Sequence, residues 1–297
     1  MRRPSYRLVT DALVLAAGLV FTGCVGLHNA LSVPVKRTAS IGLYALPTGT
    51  KPVRIALLSD IHAGNLVMRP ERIASIVRAV NETHPDIVLL AGNFVVGERY
   101  EGTARRALDL APLAGLRAPD GVFAVLGNHD HWTDPDAIRA SLRSAGVRVL
   151  ENDATRRGAI TIVGIDDRFS HHDDIVRAAR QAAMLGGVPI VFTHSLDLAP
   201  DLPKTMTVLF AGHTHCGQVV APVIGPIVRY SRGRRLYDQT YRCGRIVEHD
   251  RVTIVTGGVG SGTLPLRFNA SPDWWLIELV PRNTDAARAR KGREVTE

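Results

Sequence analysis

The chain has 297 residues, 45% of them hydrophobic and 22% charged, enough to bury a full core as one large domain or two small ones. Its formal net charge of +8 points to an anionic partner such as phosphate, a lipid headgroup or a membrane surface, and no recognisable nucleic-acid module accompanies that charge. Cys24, Cys216 and Cys243 show no Cys-x-x-Cys spacing, which excludes a zinc knuckle or a disulfide framework and leaves one Cys216–Cys243 bridge, or two ordinary thiols, as open readings.

In chain order, Arg2, Arg3 and Arg7 precede an apolar run from Ala12 to Leu27, so residues 1–33 read as a membrane-targeting segment. Extended through Val33, the run reaches the roughly 20 residues that a spanning helix needs, and an uncleaved single anchor in a bacterial-type inner membrane is the expectation. The basic residues before it place the N-terminus in the cytoplasm and the domain on the outer, periplasmic face, while Lys36 and Arg37 on the other flank pull toward the cytoplasmic face. Residues 34–52, with Pro34, Pro47 and Pro52, read as a linker.

From 53 to 280 the pattern is that of one layered α/β domain. Apolar runs at 53–59, 86–90, 121–126, 160–164, 188–193, 207–211, 252–256 and 274–280 predict strands, and helical periodicity predicts helices over 70–81, 103–113, 135–145 and 173–184. The sheet is expected to be mixed, or two sheets face each other. Residues 281–297 form a basic tail expected to be solvated and disordered.

Five short polar clusters each follow a predicted strand, where loops at strand ends gather functional groups. They are Asp60-Ile61-His62, Gly92-Asn93, Gly127-Asn128-His129-Asp130, His194, and Gly212-His213-Thr214-His215. Asp60 and His62, two apart at a strand end, suit one metal ion, and His213 and His215 can aim at two neighbouring ions. Asn128 offers a carbonyl oxygen. His129 is a candidate catalytic residue, with Asp130 expected to orient it.

This series resembles the calcineurin-like metallophosphoesterase superfamily, whose pattern is Asp-x-His, Gly-Asp, Gly-Asn-His-Asp/Glu, a later His and Gly-His-x-His. The resemblance implies a four-layered α/β/β/α sandwich with mixed sheets. It further implies two divalent metal ions (Mn, Fe, Zn or Co), with Asp60, His62 and His215 on one, Asn128, His194 and His213 on the other, and position 93 bridging them. The implied activity is phosphodiester or pyrophosphate hydrolysis. The N-terminal segment, Gly164-Ile165-Asp166-Asp167, the run Gly212–Gln218 and the run Gly260–Phe268 are similar to the membrane-anchored YkuE/YaeI-type branch. Some proteins in that neighbourhood hydrolyse the pyrophosphate of UDP-2,3-diacylglucosamine, which gives a lipid-linked alternative substrate.

Asn93 stands where the pattern has a carboxylate, and three readings stay open: an introduced substitution, a natural variant with one tight and one loose metal, or lost catalysis. A non-catalytic metal- or phosphate-binding protein is the rival class. Arg232, Arg234 and Arg235, interleaved with aromatics between 229 and 237, are expected to grip an anionic headgroup or substrate. In His171-His172-Asp173-Asp174 the carboxylates read as helix capping rather than metal ligation.

Overall fold

The central strands are almost entirely apolar and their side chains alternate between two different cores, which is what a sheet covered on both faces requires. The computed structural model describes residues 6–97, 109–231 and 233–282. Its first sheet contains β1 (Val35–Leu43), β2 (Val53–Leu58), β3 (Ile87–Ala91), β4 (Val122–Val125) and β5 (Arg148–Val149). The second contains β6 (Asp153–Arg157), β7 (Ile160–Gly164), β8 (Val188–Phe192) and β9 (Val208–Ala211). Two small ribbons follow, β10 (Val220–Ala221) with β11 (Gly225–Pro226), and β12 (Tyr230–Ser231) with β13 (Arg234–Arg235). Then β14 (Gly244–Glu248) and β15 (Arg251–Val255) join the second sheet, and β16 (Asp273–Pro281) returns to the first.

The sheet orders are β1-β16-β2-β3-β4-β5 and β14-β15-β9-β8-β7-β6. Both are mixed, because β16 runs antiparallel to β2, and β6 and β14 run antiparallel to their neighbours in otherwise parallel ladders. Ile55, Leu57, Ile87, Leu89, Phe123 and Val125 from the first sheet meet Ile190, Phe192, Val208, Phe210 and Ile254 from the second in one inter-sheet core. The alternate residues face outward. Ala56, Leu58, Val88 and Leu90 pack under α2 (Pro70–Asn81) and α4 (Pro135–Ser144), with α3 (Asn128–Trp132) just before the latter. Val191, Leu209 and Ala211 pack under α5 (Ile175–Leu185), which completes four layers, α/β/β/α.

Two expectations change. Residues 34–52 are not simply a linker, because 35–43 form β1 and pair in parallel with all of β16, from Val35↔Asp273 to Leu43↔Pro281. Ala39, Ile41 and Leu43 alternate toward the inter-sheet core, and the prolines flank the strand instead of interrupting it. Exposed Lys36 and Arg37 blunt this edge, and Arg37 Nε also reaches Asp273 Oδ2 at 2.5 Å. The second change concerns the N-terminal segment. It forms a 26-residue helix, α1 (Tyr6–Leu31), but among the described residues no helix is long and apolar enough to cross a membrane, so a spanning anchor is not supported.

The expected helix at 103–113 and the tail from 283 fall largely outside the described residues, and only a short 3-10 turn, Ala111–Gly115, is seen in the former region. Asp174, as expected of that acidic pair, caps α5 by accepting from the Arg177 amide at 2.8 Å. Phe210 is fully buried between the sheets, whereas Val176 on α5 is 70% exposed. Phe210→Ala should therefore cost about 3–5 kcal/mol in urea unfolding, against less than about 0.5 kcal/mol for Val176→Ala. Equal effects would contradict the assigned core.

Candidate metal centre

The predicted ligands arrive from the carboxyl ends of β2, β3, β4, β8 and β9, on both sheets, and meet at one edge of the sandwich. They do not arrive by simple strand alternation. Beyond β2 the backbone takes positive φ at Asp60 (54°) and His62 (50°), and the same occurs at Asn93 (59°), His213 (70°) and His215 (48°). Non-glycine residues held there cost on the order of 1 kcal/mol or more each, a strain typical of functional sites. Backbone bonds hold the conformation, with the Asp60 amide donating to Gly92 O at 2.9 Å and the His62 amide to Asn93 O at 3.0 Å. Close approach demands glycine beside them. A Cβ at Gly212 would lie 2.2 Å from Ser59 Oγ and 2.7 Å from Asp60 Oδ2.

Asp60 is fully buried and its two oxygens have separate tasks. Oδ2 accepts from Ser59 Oγ at 2.6 Å and from the His213 amide at 3.0 Å. Oδ1 lies 3.4 Å from His215 Nε2 and 3.6 Å from His62 Nε2, while those two nitrogens are 3.2 Å apart. One carboxylate oxygen and two imidazole nitrogens converging in this way fit a divalent ion. Burial alone would raise the Asp60 pKa, but His215, His62 and His194 outweigh it and hold the carboxyl well below its ordinary value.

A second convergence adjoins the first. His194 Nε2 is 3.1 Å from Asn128 Oδ1 and 3.2 Å from His213 Nδ1, and it is 4.0 Å from Asp60 Oδ1. The outer nitrogens are committed elsewhere: His194 Nδ1 lies 2.7 Å from Ala91 O and His213 Nε2 lies 2.9 Å from Leu236 O. A carbonyl can only accept, so each of these nitrogens carries the proton and the inner nitrogen keeps its lone pair for a metal. These atoms also fit a divalent ion, although they contribute no negative charge.

Asn93 lies between the two groups. Its Nδ2 is 3.2 Å from Asp60 Oδ1 and 3.5 Å from Asn128 Oδ1, and its Oδ1 accepts from the His129 amide at 3.0 Å. The position is the bridging one that the sequence implies, but the amide turns a donor toward the centre where a bridge needs an acceptor.

Asp130 does not orient His129, contrary to the sequence expectation. Its carboxylate is buried and collects the backbone amides of Asn93 (2.8 Å), Phe94 (2.8 Å), Val95 (3.4 Å) and Gly127 (2.9 Å). Burial pushes its pKa up to about 6 against the pull of those amides. His129 is oriented instead by the Gly97 carbonyl, 2.8 Å from Nδ1, and by edge contacts with His62 and Trp132 at 5.1 and 5.4 Å between ring centroids. Burial and the neighbouring His62 bring the His129 pKa down to about 3, so its ring is neutral and Nε2 is free for a ligand.

His129, Trp132, Asn93 and Asn128 line a cleft of about 290 Å³ whose far wall is apolar, with Val219, Val228, Tyr230, Leu236 and Leu264. Arg234 and Arg235 do not line it. Arg234 folds over Phe169, with its carbon Cζ 5.0 Å from the ring centroid, and donates to Phe169 O, while Arg235 is exposed near Asp238. Both side chains expected to grip substrate thus stand outside the cleft lining, and Arg232 lies outside the described residues.

Three further residues support the centre. Arg267 is fully buried and donates to the carbonyls of Gly257, Gly260 and Ala270 behind His215, and burial lowers its pKa to about 10. Burial would raise the pKa of Asp167, yet His194 and His213 hold it below the ordinary value, so a buried anion backs the neutral second group. Cys216, next to His215, is joined to Cys243 by a disulfide.

A family description of calcineurin-like phosphoesterases matches residues 53–217. An uncharacterized metallophosphoesterase of Aquifex aeolicus is 30% identical over 79% of this chain and 87% of its own length. Escherichia coli phosphodiesterase YaeI is 30% identical over 77% of this chain and 83% of its own. A Danio rerio transmembrane protein with a metallophosphoesterase domain is 29% identical over 89% of this chain, which spans only 61% of that protein.

Because Asp130 satisfies buried amides in two ligand loops, Asp130→Asn should destabilise the fold by about 1–3 kcal/mol. Metal affinity should fall with it, as read by unfolding and by metal titration on one sample. Unchanged values in both would show that Asp130 is dispensable.

Proposed function

The chain belongs to the calcineurin-like phosphoesterase family, and from that premise we propose that it is a phosphodiester or pyrophosphate hydrolase working with two divalent ions at a membrane. The observation that carries this reading is the pair of adjoining convergences around Asp60 Oδ1, which lies within 4.0 Å of imidazole nitrogens from both groups. Asp60, His62 and His215 would hold one ion, and Asn128, His194 and His213 the other. Bound there, such ions supply Lewis-acid polarisation of the phosphoryl group and an acidified water.

The chain's own residues do the rest. His129 presents Nε2 to the cleft as a fixed acceptor, with its other nitrogen anchored to Gly97. Trp132 closes the side of the cleft next to His129, and the apolar wall excludes water from the far side. Neutral Asn93 would leave the second ion bound more loosely than the first. The Cys216–Cys243 disulfide supports a location on an oxidising, outer face of the membrane. The apolar wall favours a lipid-linked substrate such as the diacylglucosamine pyrophosphate. The disulfide weighs against that one, whose hydrolysis belongs to the reducing side.

Asn93→Asp should raise bound Mn²⁺ toward two ions per chain, measured by elemental analysis after dialysis, and should increase turnover of bis-p-nitrophenyl phosphate. Identical metal content and rate in both proteins would remove the argument from position 93, and no hydrolysis of mono- or diesters by either would favour a non-catalytic binder. His129→Ala should lower turnover by about 10²-fold or more with metal content unchanged. A parallel loss of metal would make His129 structural instead.

A further inference from the structure

Beside the cleft, a run of apolar side chains stands exposed among the described residues. In the ribbon formed by β10 and β11 and the segment that follows it, Val223 is 107% exposed, Ile224 70%, Ile227 62%, Val228 53% and Tyr230 66%. Val223 sits at the tip with φ 66°, a conformation that β-branched residues rarely take, so strain is accepted to hold this side chain outward. Arg229, just beyond β11, braces the ribbon by donating to Pro226 O at 3.0 Å and to Ile224 O. A projecting apolar tip on a braced ribbon has the make-up of an interaction site, because scattered surface apolar residues do not cluster in this way.

Three observations identify what it meets. Exposed Arg229 lies within this segment and exposed Arg235 pairs across from Tyr230, and an apolar tip with a basic flank complements an anionic lipid surface. The base of the ribbon is also continuous with the N-terminal helix. Val219 bridges to Phe268, Arg267 donates its amide to Gly26 O at 2.9 Å, and Gly26 lies so close to Phe268 that a Cβ there would be 2.5 Å from the ring. Helix α1 itself exposes Leu13 (64%), Val20 (67%) and Phe21 (71%). Finally, Val228 and Tyr230 are both part of this surface and lining residues of the cleft, and half-exposed Leu264 joins them at its mouth.

We propose that the segment 220–230 is a membrane-contacting element that inserts its apolar tip into the interfacial layer of an anionic bilayer and seats the mouth of the cleft on the lipid surface. The inference does not depend on catalysis. It requires no spanning helix, and it assigns the ribbon a role separate from that of α1.

The test is a nitroxide placed at Val223→Cys or Ile224→Cys in a full-length Cys24→Ser background, mixed with vesicles of phosphatidylethanolamine and phosphatidylglycerol. Both labels are on exposed positions, so folding is not at stake. The expected result is a higher ratio of oxygen to nickel-chelate collision rates at both positions once vesicles are added, while a label at exposed Val247 on β14 keeps its aqueous ratio. Aqueous ratios at the ribbon in protein bound through α1 alone would overturn the proposal, as would failure to bind the vesicles. Shielding of the ribbon in lipid-free protein that grows with concentration would assign the surface to a second copy of the chain, and would overturn it too.

Discussion

The Asp60 carboxylate is the joint on which the centre turns. Through Oδ2 it takes the amide of His213, which ties the loop after β2 in the first sheet to the loop after β9 in the second. Through Oδ1 it faces imidazoles delivered from both sheets. The inter-sheet core fixes where the strands end, and the left-handed backbone at Asp60, His62, His213 and His215 then aims the side chains inward. Remove the carboxylate and the site loses both its anion and the clasp between its halves.

Charge sets the limits of this arrangement. Among the described residues, Asp60 is the carboxylate that reaches both convergences, and Asn93, which stands between them, is neutral. Two dications a few ångströms apart repel strongly in a buried site, and an amide offers neither a second oxygen nor a negative charge. Asp167, also fully buried, is held below its ordinary pKa against the cost of burial by His194 and His213, so a second carboxylate is kept ionised close to those imidazoles. On the two-ion reading proposed above, the ions would be held unequally, more tightly by the group that contains Asp60.

Much of this was legible in the sequence, because buried strands in a doubly covered sheet are continuous apolar runs and each ligand cluster follows one of them. The helix at 70–81 has a proline at its start and a regular apolar stripe, so even its bounds could be read. Other features depend on tertiary contacts and left weaker traces. Strand β1 shows only a short alternation, Ala39, Ile41 and Leu43, hidden among flanking prolines. Asp130 looked like a partner for its neighbour His129, but sequence adjacency says nothing of four amides donated from loops that fold back on it. Arg267 and Asp167 belong to motifs visible in the chain, yet only burial shows that one clamps the loop behind His215 and the other backs the second set of imidazoles.

The fold thus places a charged, strained centre at one edge of a rigid sandwich, with an apolar cleft wall and an apolar ribbon leading away from it. The most direct measurement is anomalous X-ray diffraction at the manganese edge from crystals of the unaltered chain grown with Mn²⁺. A strong peak is expected among Asp60, His62 and His215 and a weaker one among Asn128, His194 and His213. Equal full occupancy of both positions without any anion in the cleft, or no peak at either, would contradict the unequal two-ion reading.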